Sequence, residues 1–361
     1  MNLDATDVPP RSRRGVRLRH LWSGQWFHHL LVEYLRRYDA RRPEGVTVDV
    51  RDPLDAAERV IRSACAKAAV MGTGAAAVNT GAALWAAQAQ GLTVVVALPM
   101  AGAAVFADLV ARALLHLRMT CDVASLFGVR LDPDDPADIA RLYAIALGTV
   151  EPHDERDPRG LELLERLVPL GSEEASGPVG ATLANETALR DVLPVVGVLA
   201  SGAASWRVTR RLGEASVRYA RSRRALDGAV APLEELAPGA MDLLIEGIWF
   251  VLTADGRLDG NEATLLAHLL HLRPALVRAT LLARLRDDES GWLERLREVP
   301  VAARRSFLQV LHVAAALDTE VLDTERALLE RAARALEEPA PVGVADSIAS
   351  HLKSSGLSPP L

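Results

Sequence analysis

Asp255 and Glu262 flank a short polar turn between two apolar runs, and Asp318 and Glu325 flank another such turn sixty-three positions later. In each copy an apolar, helix-like run ends in an Asp, and the Glu seven positions on opens the next apolar helix. Carboxylates around turns suit a hard divalent cation. Oxygen ligands favour Ca²⁺ or Mg²⁺ over zinc, with backbone carbonyls and water completing the shell. Packed face to face about a pseudo-twofold, the two hairpins bring Asp255, Glu262, Asp318 and Glu325 together, and clustered carboxylates repel unless a cation or protons neutralise them. Asp259 is an additional candidate ligand, although Asp259-Gly260-Asn261-Glu262 also has the form of a capping box, which explains Glu262 equally well. The position matching Asp259 in the second copy is Leu322, so the repeated pair is not the capping pair. Thr319 replaces Gly256, which makes the second turn less suited to a left-handed residue.

Other residues offer less chemistry. His268 and His271 share a helix face at i, i+3, but without HExxH spacing they read as core or surface histidines. Gly72-Thr73-Gly74 lacks the Lys-Ser/Thr of a phosphate loop, and Ser172, Ser201 and Ser205 lack a nucleophile elbow. Asp108, Arg112 and His116 follow one another at i, i+4 and read as a helix-surface ion pair with a neighbouring His. A metal-dependent hydrolase built on the acidic turns needs a nucleophile-orienting residue beside them, and the sequence shows none. No enzyme class stands out.

The elements that position these residues are helical. Half of the 361 residues are apolar but only 4% are aromatic, with abundant Ala and Leu, so the fold class is mainly α. The net charge of −6 argues against a dedicated nucleic-acid binder. Cys65 and Cys121 are too few for a disulfide framework or thiolate site and imply reduced thiols in the cytoplasm. Ser12-Arg13-Arg14 is not followed by the uncharged stretch of an export signal.

Residues 1–54 form a tail and an amphipathic helix through Trp22, Trp26, Leu30, Tyr34 and Tyr38, which docks on the next domain or on a membrane surface. Residues 55–230 form a helical domain with an acidic connector at 151–185. Within it, Ala68 to Ala107 are forty consecutive uncharged residues. At about 20 residues per span that is enough for a bilayer hairpin, yet Asn79, Gln88, Gln90, Pro99 and Gly102 favour a buried or peripheral one. A long helix follows from about Ala104 to Phe127, and the turn at 132–136 starts another. The apolar run Leu193–Ala204 leads into Arg207, Arg210, Arg211, Arg218 and Arg221, an arrangement that suits either an anionic membrane surface or a solvated face. Residues 231–338 form a second helical domain in which Leu244, Ile245, Ile248, Val251 and Leu252 make a stripe repeated by Phe307, Leu308, Leu311, Ala314 and Ala315. Residues 339–361 are a flexible tail.

Phe106-Ala107-Asp108-Leu109 through Ala124-Ser125-Leu126-Phe127-Gly128-Val129-Arg130-Leu131, the acidic-Pro turn, Ala144-Ile145-Ala146-Leu147-Gly148 and Leu193-Pro194-Val195-Val196-Gly197 with its Arg-rich helix together resemble the EcsC family over about residues 55–230. The resemblance implies an all-helical, membrane-associated protein linked to transport, secretion or stress physiology. Ala254-Asp255-Gly256 with Glu262, and Asp318 with Glu325, resemble the paired signatures of TerB-like domains over about residues 232–338. That likeness implies a helical bundle whose acidic positions hold a divalent cation. The combined expectation is a non-catalytic, membrane-associated adaptor or stress-response protein with a cation-sensing module. It would lie in the cytoplasm, peripheral to or inserted in the inner face of the cytoplasmic membrane, with a membrane surface or membrane protein as partner and a further protein partner for the TerB-like module. The alternatives are a metal-dependent hydrolase and a soluble helical scaffold without metal.

Overall fold

The computed structural model describes residues 25–41, 52–88, 94–148, 164, 202–285, 289–317, 321–339 and 343–354; the side chains of 25–26, 73–106 and 351–354 lie outside the description. Every regular element among the described residues is helical, so the chain is mainly α. The first lobe comprises α1 (Gln25–Ala40), α2 (Pro53–Gln88), α3 (Val94–Leu126) and α4 (Pro136–Leu147). A 35-residue helix, α5 (Gly202–Leu236), leads into α6 (Met241–Leu252), α7 (Gly260–His271), α8 (Ala275–Arg284), α9 (Glu289–Arg295), α10 (Val301–Ala315), α11 (Asp323–Ala335) and α12 (Val344–Ser354).

Local sequence sets several of these boundaries. Asp135 caps α4 by accepting the Ala137 N–H at 2.9 Å, Pro136 supplies the first helical φ, and Gly148 ends the helix in the left-handed region at φ 76°. Two boundaries differ from the sequence expectation. α3 begins at Val94 rather than near Ala104, so Pro99 and Gly102 do not end it: Pro99 lies close to the helix start and removes only one backbone donor from the ladder. The domain boundary drawn at 230/231 falls inside α5, which is continuous across it even though it contains Pro232. The connector at 151–185, apart from buried, helical Leu164, and the apolar run as far as residue 201 lie outside the described residues.

The core runs through both lobes. α5 packs along α2 and α3 with its first part and against α10 in the second lobe, while α4 packs on α7. Both predicted stripes are buried: Leu244, Ile245, Ile248 and Val251 have no exposed surface, and Phe307, Leu308, Leu311, Ala314 and Ala315 are buried beside them where α6 meets α10. The repeat is therefore structural. α7 and α11 start at Gly260 and Asp323, in the same register as the sequence echo.

Close helix approach depends on glycine at two positions. A Cβ on Gly213 of α5 would sit 2.7 Å from Ile61 of α2, and one on Gly247 of α6 would sit 2.6 Å from Trp292. Both neighbours are fully buried and have no room to retreat. Gly228, on the same helix as Gly213, has nothing within 4 Å of its would-be Cβ. Gly213→Ala should therefore destabilise by about 1–3 kcal/mol through overpacking, whereas Gly228→Ala should be neutral or stabilising by up to about 1 kcal/mol. Urea unfolding of the two variants checks this pair.

Candidate functional site

The acidic turns come first. Asp255 accepts the Arg257 N–H at 2.8 Å and shapes the turn, with Gly256 in the left-handed region at φ 78°. Asp259 accepts the Glu262 N–H at 2.7 Å and Glu262 accepts the Asp259 N–H at 2.8 Å, a complete capping box. In the second copy Glu325 accepts the Leu322 N–H at 2.7 Å. Leu322 has no side-chain acceptor to return the bond, so only the Glu half of the box is repeated. This alters the reading of the echo: Glu262 and Glu325 recur because each satisfies the N-cap amide of its helix, which requires no particular side chain at the cap. Both are buried. Asp318 and Thr319 lie outside the described residues, and among those described no group of three or more His, Cys, Asp or Glu side chains is placed to hold a metal ion. Glu262→Gln and Glu325→Gln should leave thermal stability nearly unchanged because the amide oxygen still accepts, while Asp259→Ala should cost about 1 kcal/mol. A large loss in either Gln variant would count against a capping role.

The Arg-rich helix divides by face. Arg207 and Arg211 are exposed, and Arg218 and Arg221 are half-buried. Arg210 turns inward, at 2.6 Å from Glu58 of α2 and 2.9 Å from Glu214, which removes it from any surface contact set. The Asp108–Arg112–His116 series is likewise not a surface ion pair. Arg112 and His116 are buried at the α3–α5 seam: Arg112 donates to Asp108 at 2.8 Å and to Ser205 at 2.7 Å, and His116 Nε2 lies 3.1 Å from Thr209 Oγ1. Thr120 and Ser216 pair one turn further along, at 3.1 Å. Burial lowers the His116 pKa to about 4, so this imidazole is neutral around pH 7.

A charged hub that the sequence did not announce joins the lobes. Asp138 of α4, with no exposed side-chain surface, accepts from Tyr219 Oη at 2.7 Å, from the Arg223 guanidinium at 2.9 Å and from the Asp132 N–H at 2.9 Å. Arg223 also donates to Asp227 at 2.9 Å. His268 of α7 sits between two carboxylates, with Nδ1 at 2.6 Å from Asp135 and Nε2 at 3.5 Å from Asp227. Burial disfavours the imidazolium, but the hydrogen bonds to Asp135 and Asp227 outweigh it and the net pKa shift is upward. Burial raises both carboxyls as well; bonding to His268 more than compensates and holds each below its ordinary value. Asp138 is pushed upward by its complete burial, with Arg223 opposing. The network thus ties α4 and α5 to α7 through charges that are buried at Asp138, Asp135, Arg223 and His268, with the partly exposed Asp227 at its edge.

The third feature is a groove of about 1710 Å³ between α1, α2 and α3. Its lining carries Arg36, Arg37, Arg41, Lys67 and Arg118 against only Glu33 and Asp122. Both carboxylates are engaged: Glu33 pairs with Arg37 at 2.7 Å, and Asp122 accepts from Tyr38 Oη at 2.8 Å and lies 3.7 Å from Arg118. Lys67 and Arg41 form no ion pair among the described residues. Val70, Met71, Leu114 and Leu115 supply apolar wall, and Val70 is 71% exposed. Sequence reasoning missed this concentration because its cations come from three separate helices. One signal was available: Lys67 is one of only two lysines in the chain.

No family model, curated protein or solved structure matches the chain.

The pH dependence of the hub follows from its shifts. His268, raised above 6.5, contributes stability that is fully present below that pH and is lost as pH climbs through the folded-state value. Asp135 and Asp227, held below 3.8, contribute stability that is present above that pH and is lost only in stronger acid. The thermal midpoint of the protein should therefore decline on the alkaline side, and His268→Gln should flatten that decline. Identical alkaline profiles for the two proteins would contradict this role.

Proposed function

We propose that the chain is a non-catalytic, membrane-associated adaptor whose first lobe, EcsC-like in sequence texture, engages an anionic membrane surface and whose second, TerB-like lobe presents a partner surface. One observation carries the reading. The described parts of the uncharged stretch Ala68–Ala107 lie in α2 and α3, two helices that pack on each other, and the cationic groove lies where charge resumes on both. Lys67, Val70 and Met71 stand at the entry to the stretch on α2, and Ala111, Leu114 and Leu115 stand just past its exit on α3. Apolar insertion and attraction to anionic headgroups reinforce one another when they act at the same place. Among the described residues no helix is long and apolar enough to cross a membrane, and the side chains of 73–106 are not among them. Association at the surface, with or without insertion of the hairpin, is the reading proposed.

In this proposal the acidic turns of the second lobe serve to start α7 and α11. Each of their Glu side chains accepts the N-cap amide of its helix, which supports capping over the Ca²⁺- or Mg²⁺-sensing role and over a metal-dependent hydrolase. A soluble scaffold would use the same caps, and membrane binding separates the two readings.

The full chain should float with vesicles containing phosphatidylglycerol at low salt. Raising the ionic strength should reduce the bound fraction, because the Debye length shrinks from about 10 Å at 0.1 M to about 3 Å at 1 M salt. Recovery entirely in the non-floating fraction at low salt would sink the membrane reading.

A further inference from the structure

We propose that the groove between α1, α2 and α3 is a binding site for a single anionic phospholipid, whose phosphate is taken by the cationic rim and whose acyl chains run along the apolar wall. The proposal rests on the membrane reading above and names the ligand of that same lobe. Size is the first argument. At about 1710 Å³ the groove exceeds the roughly 300–1,000 Å³ of ordinary small-molecule pockets, so it suits a long amphiphile better than a compact metabolite.

Charge is the second argument. In a chain whose acidic residues outnumber its basic ones by 47 to 41, five cations against two carboxylates on one groove is a local inversion of sign. Glu33 is paired with Arg37 and Asp122 with Arg118, Asp122 also accepting from Tyr38, which leaves Lys67 and Arg41 as cations without an ion-pair partner among the described residues. Arg36 also lies in the lining and is 3.5 Å from Asp134 in an exposed pair. A monoanionic phosphodiester fits what remains.

Chemical polarity is the third. Tyr34 and Tyr38 stack with ring centroids 6.3 Å apart, and Val70, Met71, Leu114 and Leu115 continue the apolar wall toward the uncharged stretch. The cationic and apolar walls therefore meet in one groove, with the amphiphilic order of a lipid. Tyrosine at such a boundary has an apolar body and a polar tip, as at membrane interfaces generally. A free phosphate would leave the exposed Val70 side chain unused.

Calorimetry on the full chain tests this with dihexanoyl phosphatidylglycerol held below its micelle concentration, alongside dihexanoyl phosphatidylcholine and inorganic phosphate. The phosphatidylglycerol should bind one-to-one and at least about tenfold more tightly than the zwitterionic lipid, and inorganic phosphate should give no comparable heat. The double variant Arg41→Glu, Lys67→Glu should weaken phosphatidylglycerol binding by about tenfold or more. Val70→Glu, at an exposed site that leaves the core intact, should weaken it independently, and unchanged thermal midpoints establish that both variants fold. Wild-type affinity in both variants, or equal binding of inorganic phosphate, would overturn the lipid site. Flotation with no monomeric-lipid binding contradicts this site and spares the membrane reading; monomer binding without flotation does the reverse.

Discussion

Burying charge is costly unless every charge is paired, and the contact between the two lobes is built around that constraint. Asp138, Arg223, Asp227, Asp135 and His268 are drawn from α4 and its cap, α5 and α7, and each is held by at least one partner of opposite sign or by a hydrogen-bonded neighbour. Breaking such a buried pair by removing one member costs about 3–5 kcal/mol, because the survivor is left in the interior uncompensated. The arrangement therefore fixes how α4 sits on α7 more sharply than apolar packing alone, which tolerates sliding. Arg141 adds to the same region by lying over the Tyr219 ring, 5.2 Å from its centroid, and donating to the Ala215 carbonyl.

That fixed contact places the rest of the molecule. α5 is continuous from the first lobe into the second, so its Arg-rich sequence serves two ends: Arg210 and Arg223 anchor it internally, while Arg207 and Arg211 face outward. With α5 held, α2 and α3 pack against its first part through the close approach at Gly213 and the polar seam of Arg112, His116 and Thr120. α1 then completes the groove from the far side, where Tyr38 reaches Asp122 of α3 and Arg130 meets Asp39. A cationic groove beside an uncharged stretch is thus carried on α1, α2 and α3, away from the second lobe's buried stripes.

Much of the fold was legible in the sequence. The mainly α class followed from abundant Ala and Leu with few aromatics, the paired stripes of α6 and α10 from their periodicity, and the α4 start from Asp135-Pro136. Pairings between distant segments left no such trace. Asp135 and His268 are 133 positions apart and Asp138 and Arg223 are 85 apart, and neither pair has a spacing that marks it. His268 read as an ordinary histidine because its two carboxylates come from other helices. The acidic echo was visible, but its local cause was not: a Glu that caps through a backbone amide repeats without its partner, so Leu322 concealed the common role. The groove was invisible for the related reason that α1, α2 and α3 each contribute only one to three of its cations.

The central claim is that the first lobe, through the α1–α2–α3 groove and the stretch beside it, is the face that meets the membrane. Hydrogen–deuterium exchange of the full chain with and without phosphatidylglycerol-containing vesicles tests it most directly. The account predicts added protection in α1 and in the parts of α2 and α3 that border the groove, with exchange in α6, α7, α10 and α11 unchanged. Added protection confined to those second-lobe helices, or none anywhere on vesicle-bound protein, would contradict it.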